Sequence, residues 1–192
     1  MNRSLNNYID MEVERVASIM VNHAIKEINN HHNSYYIVDH EEQTIQYNTL
    51  EVNRFRDVLN EQVQKEFLKL ENGNFSSYSL ATQAFLKKKY PYFQQGYLCE
   101  IGLNSLRGSF LFGNLGPAIP IKLSFVGFIS SDIEIISREY GINNTTIEVD
   151  NIAKVSILIT MPVSTRIHVS KVKNVLSFEI INGAVPNYYV AK

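Results

Sequence analysis

The sequence predicts an α+β fold in which an antiparallel β-meander of long strands in the C-terminal half packs against N-terminal helices. Two stretches carry this reading. From Ile9 to Ile28, apolar residues recur at Ile9, Val13, Val16, Ala17, Met20, Ala24 and Ile28, the three-and-four spacing of one helix face. From Thr145 to Met161, Ile147, Val149, Ala153, Val155, Ile157, Ile159 and Met161 alternate with Glu148, Lys154, Ser156 and Thr160, as a strand with two unlike faces requires. Helical periods confined to the first half and period-two alternation in the second are the pattern of an α+β chain. With no repeat or linker between them, one domain is expected over 1–192, helix-rich over 1–92 and loop- and β-rich over 93–192.

The elements follow in order. The first helix ends in the polar run Asn29-Asn30-His31-His32-Asn33, whose asparagines favour turns. Tyr35–Val38 and Thr44–Tyr47 are short β-prone segments separated by Asp39 to Gln43, which suggests a hairpin. Asn48 stands three residues before Glu51, a capping arrangement, and Val52, Phe55, Leu59, Val63, Phe67 and Leu70 line a second helix that Gly73 ends. Leu80 to Lys89 reads as a short third helix barred from continuing by Pro91.

From Gly96 to Pro117 the chain is punctuated by glycine and reads as a long shaped loop. Ile121–Val126 alternates as a strand, and Ile133–Arg138 reads as another. In the Thr145–Met161 strand, Asn151 interrupts the apolar face and is read as a bulge. A last strand begins at Val163, Ile167 and Val169. Its apolar phase shifts near Lys171, so that Val172, Leu176, Phe178 and Ile180 carry it on, and a bulge or turn near Asn174 accounts for the shift.

Composition excludes several function classes. The chain has 192 residues, 45% hydrophobic and 19% charged, with a formal net charge of −1, so it lacks the positive field of a nucleic-acid binder. Its basic run Lys87-Lys88-Lys89 suits the negative end of a helix. The single cysteine, Cys99, forms no internal disulfide and sits among apolar neighbours, as a buried structural thiol does. No stretch approaches the roughly 20 apolar residues of a membrane span, and Met1–Asp10 lacks a signal-peptide core, so the chain reads as soluble.

No motif predicts catalysis, a cofactor or a metal. His23, His31, His32, His40 and His168 match no metal-ligand spacing, and Asp39, Glu41 and Glu42 lack the ligand pattern of a calcium loop. The glycines from Gly108 to Gly116 have neither a P-loop ending nor dinucleotide spacing, and no GxSxG nucleophile elbow occurs.

Gly116-Pro117-Ala118-Ile119-Pro120-Ile121-Lys122, with Ile101-Gly102-Leu103 and Gly108-Ser109 before it, resembles the YunB family of sporulation proteins. Further on, Gly141-Ile142-Asn143-Asn144-Thr145, Met161-Pro162 and Gly183-Ala184-Val185-Pro186-Asn187-Tyr188-Tyr189 extend the resemblance in order and spacing. Asn114-Leu115 depart from the small, basic pair that the family tends to have there, which marks a divergent member. The resemblance implies a sporulation-associated, non-enzymatic scaffold or interaction domain at the spore envelope, with an unidentified protein or envelope partner. It implies an extracytoplasmic place at the outer membrane of the developing spore, and membrane association only through an amino-terminal anchor absent from this chain.

Apart from the resemblance, the glycine-rich loop is the expected interaction site, with Arg107, Gly108, Asn114, Gly116 and Pro117 as its residues. The alternative is a carrier of lipid or another apolar ligand, because long amphipathic strands and helices can enclose a cavity.

Overall fold

The computed structural model describes residues 3–28, 35–39, 44–93, 97–102, 118–140, 144–161 and 164–182. Among them the elements run α1 (Arg3–Ile28), β1 (Tyr36–Asp39), β2 (Thr44–Tyr47), α2 (Thr49–Glu71), α3 (Leu80–Lys89), β3 (Cys99–Gly102), β4 (Ala118–Tyr140), β5 (Asn144–Met161) and β6 (Ser164–Asn182). The fold is α+β. β1 and β2 form an antiparallel hairpin, and the other strands form a curled sheet in the order β3-β4-β5-β6 with every neighbouring pair antiparallel.

Local chemistry explains the helix ends. The Asn48 side chain accepts from the Glu51 amide at 3.3 Å and caps α2. At the other end Gly73 adopts φ 64°, where a Cβ would clash, and its amide donates to the Leu70 carbonyl at 2.9 Å. The Ser79 hydroxyl accepts from the Thr82 amide to begin α3, and Lys87–Lys89 occupy its last turn.

α1 and α2 cover one face of the sheet. Ile9, Val13, Val16, Ala17, Met20, Val21 and Ala24 of α1 are at most 1% exposed, as are Phe55, Leu59 and Val63 of α2. They meet Ile147, Val149, Ala153, Val155, Ile157 and Ile159 of β5, all fully buried. Each of the larger of these side chains, the valines, isoleucines, leucine, methionine and phenylalanine, contributes about 1.5–3 kcal/mol on leaving water, so this interface dominates stability.

Three readings are corrected, and one alternative is resolved. Cys99–Gly102, expected within a long loop, is a strand paired with Ala118–Ile121. The two strands expected at Ile121–Val126 and Ile133–Arg138 are parts of one 23-residue strand. It stays continuous because two extra β4 residues are absorbed between Phe125 and Ile129, which preserves the facing of the side chains on either side. Asn151 marks no bulge in its own strand: it sits in regular register between Ile133 and Asn174, fully buried on the helix-facing side. The bulge lies opposite, in β6, where Val149 pairs Ser177 and Asp150 pairs Val175, leaving Leu176 as the extra residue. The last strand thus changes phase through a bulge two residues from Asn174, with no turn.

Candidate interaction surface

The expected loop residues Arg107, Gly108, Asn114, Gly116 and Pro117 lie outside the described residues. The strands on either side of that segment pair with each other, Gly102 opposite Ala118, so both its ends leave the same end of the sheet.

A different surface emerges on β6. Its helix-facing row before the bulge is Arg166, His168, Ser170 and Val172, of which only Val172 is apolar. α1 dictates this row. Arg166 Nη2 lies 2.6 Å from Asp10 Oδ1 and its Nη1 donates to Asp10 Oδ2 at 3.2 Å, a bidentate pair. His168 Nδ1 lies 3.2 Å from the same Asp10 Oδ1, and its Nε2 is 3.6 Å from Glu14. Because side chains alternate along a strand, Ile167 and Val169 are turned to the opposite, outer face. The extra residue at the bulge then keeps Phe178 and Ile180 on that same outer face.

Ile167, Val169, Val175, Phe178 and Ile180 are each at least 50% exposed. Single exposed apolar residues are ordinary, but five on one strand form a patch of the kind that marks interaction sites. β6 is also the last strand of the sheet, and among the described residues no strand pairs with its free edge. Among the described residues its free edge therefore presents open backbone donors and acceptors from Ile167 to Ile180, roughly 45 Å at the usual rise. The centre of the outer face is polar: Lys173 Nζ contacts buried Asp150 at 2.6 Å, Lys154 lies 3.5 Å from Asp132, and Lys171 stands beside them.

Two buried acids elsewhere join elements together. Glu12 of α1, 3% exposed, accepts from the Tyr90 hydroxyl at 2.7 Å and pairs with Lys89 at 3.1 Å, tying α1 to the end of α3. Burial first, and then the Glu12 charge, push the Tyr90 hydroxyl well above its ordinary range. Glu66 of α2 is fully buried and contacts Lys69 at 2.6 Å, the Ser77 hydroxyl at 3.2 Å and His23 Nδ1 at 3.4 Å. His23 Nε2 donates to the Ser77 carbonyl at 2.9 Å, since a carbonyl only accepts. Beside it opens a polar cleft of about 460 Å³ lined by Asn22, His23, Lys26, Glu27, Ser77 and Tyr78. Near Leu123, where Val16, Phe67, Leu70 and Phe93 meet β4, the interior void is about 10 Å³, room for one water.

Among the described residues, no cluster of three or more His, Cys, Asp or Glu is placed to hold a metal, and no helix is long and apolar enough to cross a membrane. Cys99 is mostly buried, and burial, reinforced by Glu12 and opposed by Lys89, pushes its thiol up to about 11. The thiolate is the reactive form, so alkylation at pH 8 should run on the order of 100-fold slower than for a free cysteine. The rate should climb about tenfold per pH unit toward pH 11 while the fold holds, and denaturant should abolish the protection. Rapid labelling of the native chain at pH 8 would contradict this environment.

Sequence reasoning located the bulge in the last strand but not the direction in which its apolar stripe faces. Asp10 and Glu14 carried the only signal, as acidic residues on the helix that meets Arg166 and His168. Their pairing across more than 150 positions is visible only in the fold.

Residues 98–188 match the family model of the sporulation protein YunB. The sporulation protein YunB of Bacillus subtilis (strain 168) is 25% identical over 146 residues, covering 76% of this chain and 52% of that protein. The chain thus spans about half the length of this curated relative. No solved structure matches. The matched segment opens one residue before β3 and takes in β4, β5 and β6 of this chain. Over its four-stranded sheet the chain is thus similar to the YunB family of sporulation proteins.

Proposed function

We propose that the chain is a non-enzymatic interaction domain of spore formation, acting at the spore envelope through the outer face and free edge of β6. The observation that carries this reading is the stripe Ile167, Val169, Val175, Phe178 and Ile180, at least half exposed on a strand whose outer edge meets no other strand among the described residues. Leaving such a strand open invites pairing with another chain, and natural proteins usually blunt long apolar edges. Similarity to the sporulation protein YunB supports the setting in sporulation. The buried acids Glu12 and Glu66 and the paired Asp10 are each engaged in joining helices to other elements, which supports a structural use of these groups.

Ile167→Lys combined with Phe178→Lys tests the proposal in sporulating cells that carry the gene. Both side chains already face solvent, so the fold should be retained within about 0.5 kcal/mol per site. Spore formation should fall to the level of a deletion while the purified variant keeps native circular dichroism. Normal sporulation with the folded double variant would overturn the assignment of this face.

A further inference from the structure

We infer that the occupant of the β6 edge is a second copy of this chain, paired antiparallel with it through a two-fold axis at Lys173. This rests on the reading of β6 as the interaction face and names its partner. An isologous contact requires one patch to complement itself. β6 does so because of its bulge. With the axis at Lys173, Val172 stands opposite Asn174 of the second copy, and Lys171 spans the bulged Val175 and Leu176.

Beyond the bulge the register shifts by one. Val169 then meets Phe178 of the second copy and Ile167 meets Ile180, both pairs on the outer face. On the helix-facing side Ser170 meets Ser177, and His168 meets Glu179. An unbulged strand cannot do this, because Ile167 and Val169 would then lie on the opposite face from Phe178 and Ile180. Aromatic and β-branched residues set opposite one another are favoured cross-strand partners.

The charges permit the same register. Lys171 faces apolar residues rather than another cation. Lys173 meets its own copy at the axis, but each ammonium is held by Asp150 at 2.6 Å within its own sheet. His168 and Glu179, which meet on the helix-facing side, are each already engaged within their own chain, His168 by Asp10 and Glu14 and Glu179 by the Tyr36 hydroxyl, so neither leaves an unmatched charge at the seam. A partner of unrelated sequence has no reason to match this spacing, whereas a second copy matches it automatically.

The register is tested with cysteines placed in a Cys99→Ser background of the 192-residue chain. Positions 169 and 178 of one strand lie roughly 30 Å apart, so any disulfide between them joins two chains. Mild oxidation should cross-link the Val169→Cys/Phe178→Cys chain, and should also join an equimolar mixture of the two single variants. Each single variant alone should remain uncross-linked.

Native mass spectrometry and light scattering should show a dimer for the unaltered chain. Phe178→Lys should weaken that dimer by at least about tenfold without loss of fold. A monomer at all concentrations, a dimer indifferent to Phe178→Lys, or cross-linking by either single variant alone would overturn the inference. A monomeric chain whose Ile167→Lys/Phe178→Lys variant still loses spore formation would overturn the second copy while leaving β6 as the interaction face.

Discussion

Replacing Glu66 by alanine is expected to destabilise the fold by about 3 kcal/mol, lowering Tm by roughly 6–12 °C for a chain of this size. Glu66 is fully buried, and its carboxylate collects Lys69 at 2.6 Å, the Ser77 hydroxyl at 3.2 Å and the His23 ring at 3.4 Å. These contacts come from α2, from the segment before α3 and from α1. Removing the carboxylate leaves the inner donors without an acceptor in a site closed to water, and that desolvation is what makes the loss large. His23 also stacks at 4.2 Å on Tyr78, whose hydroxyl is pushed far up by burial and by the Glu66 charge. Glu66→Gln keeps the shape and one acceptor, so it should cost less than the alanine. Equilibrium denaturation of the two variants checks the order, and equal midpoints for Glu66→Ala and the parent chain would refute the account.

A pair of isoleucine substitutions should separate the two faces of the sheet. Ile157→Ala is expected to cost about 2–5 kcal/mol, because Ile157 is fully buried under the helices and its truncation leaves a cavity in packed surroundings. Ile167→Ala, on the neighbouring strand, is expected to stay within about 0.5 kcal/mol, because that side chain is 57% exposed. The measurement is the denaturation midpoint at constant m-value, taken well below any concentration at which chains associate. Similar losses at both positions would mean that the outer face of β6 is covered in the folded chain, and would remove the basis of the proposed interaction surface.

These predictions mark where local pattern stops being informative. The helix at Ile9–Ile28 and the strand at Thr145–Met161 were legible because each shows a sustained period with a single apolar side. Asn48, Gly73 and Pro91 punctuate the chain through backbone chemistry that acts within a few residues, so they were legible too. The strand Cys99–Gly102 was not, since four residues flanked by glycines carry no period, and pairing with Ala118–Ile121 makes them a strand.

The sequence by itself determined the α+β class, the presence of three helices, the hairpin and which residues of β5 share a side. Those are consequences of periodicity and of short-range capping and turn chemistry. Only the tertiary structure decided which side turns inward. Ile157 and Ile167 both sit in alternating apolar stretches, but one row meets α1 and α2 while the other is turned out, because Arg166 and His168 on the alternate row find their carboxylates at Asp10 and Glu14. Burying those charged and polar groups is tolerable only opposite such partners, and partners more than 150 residues away leave no mark on local pattern.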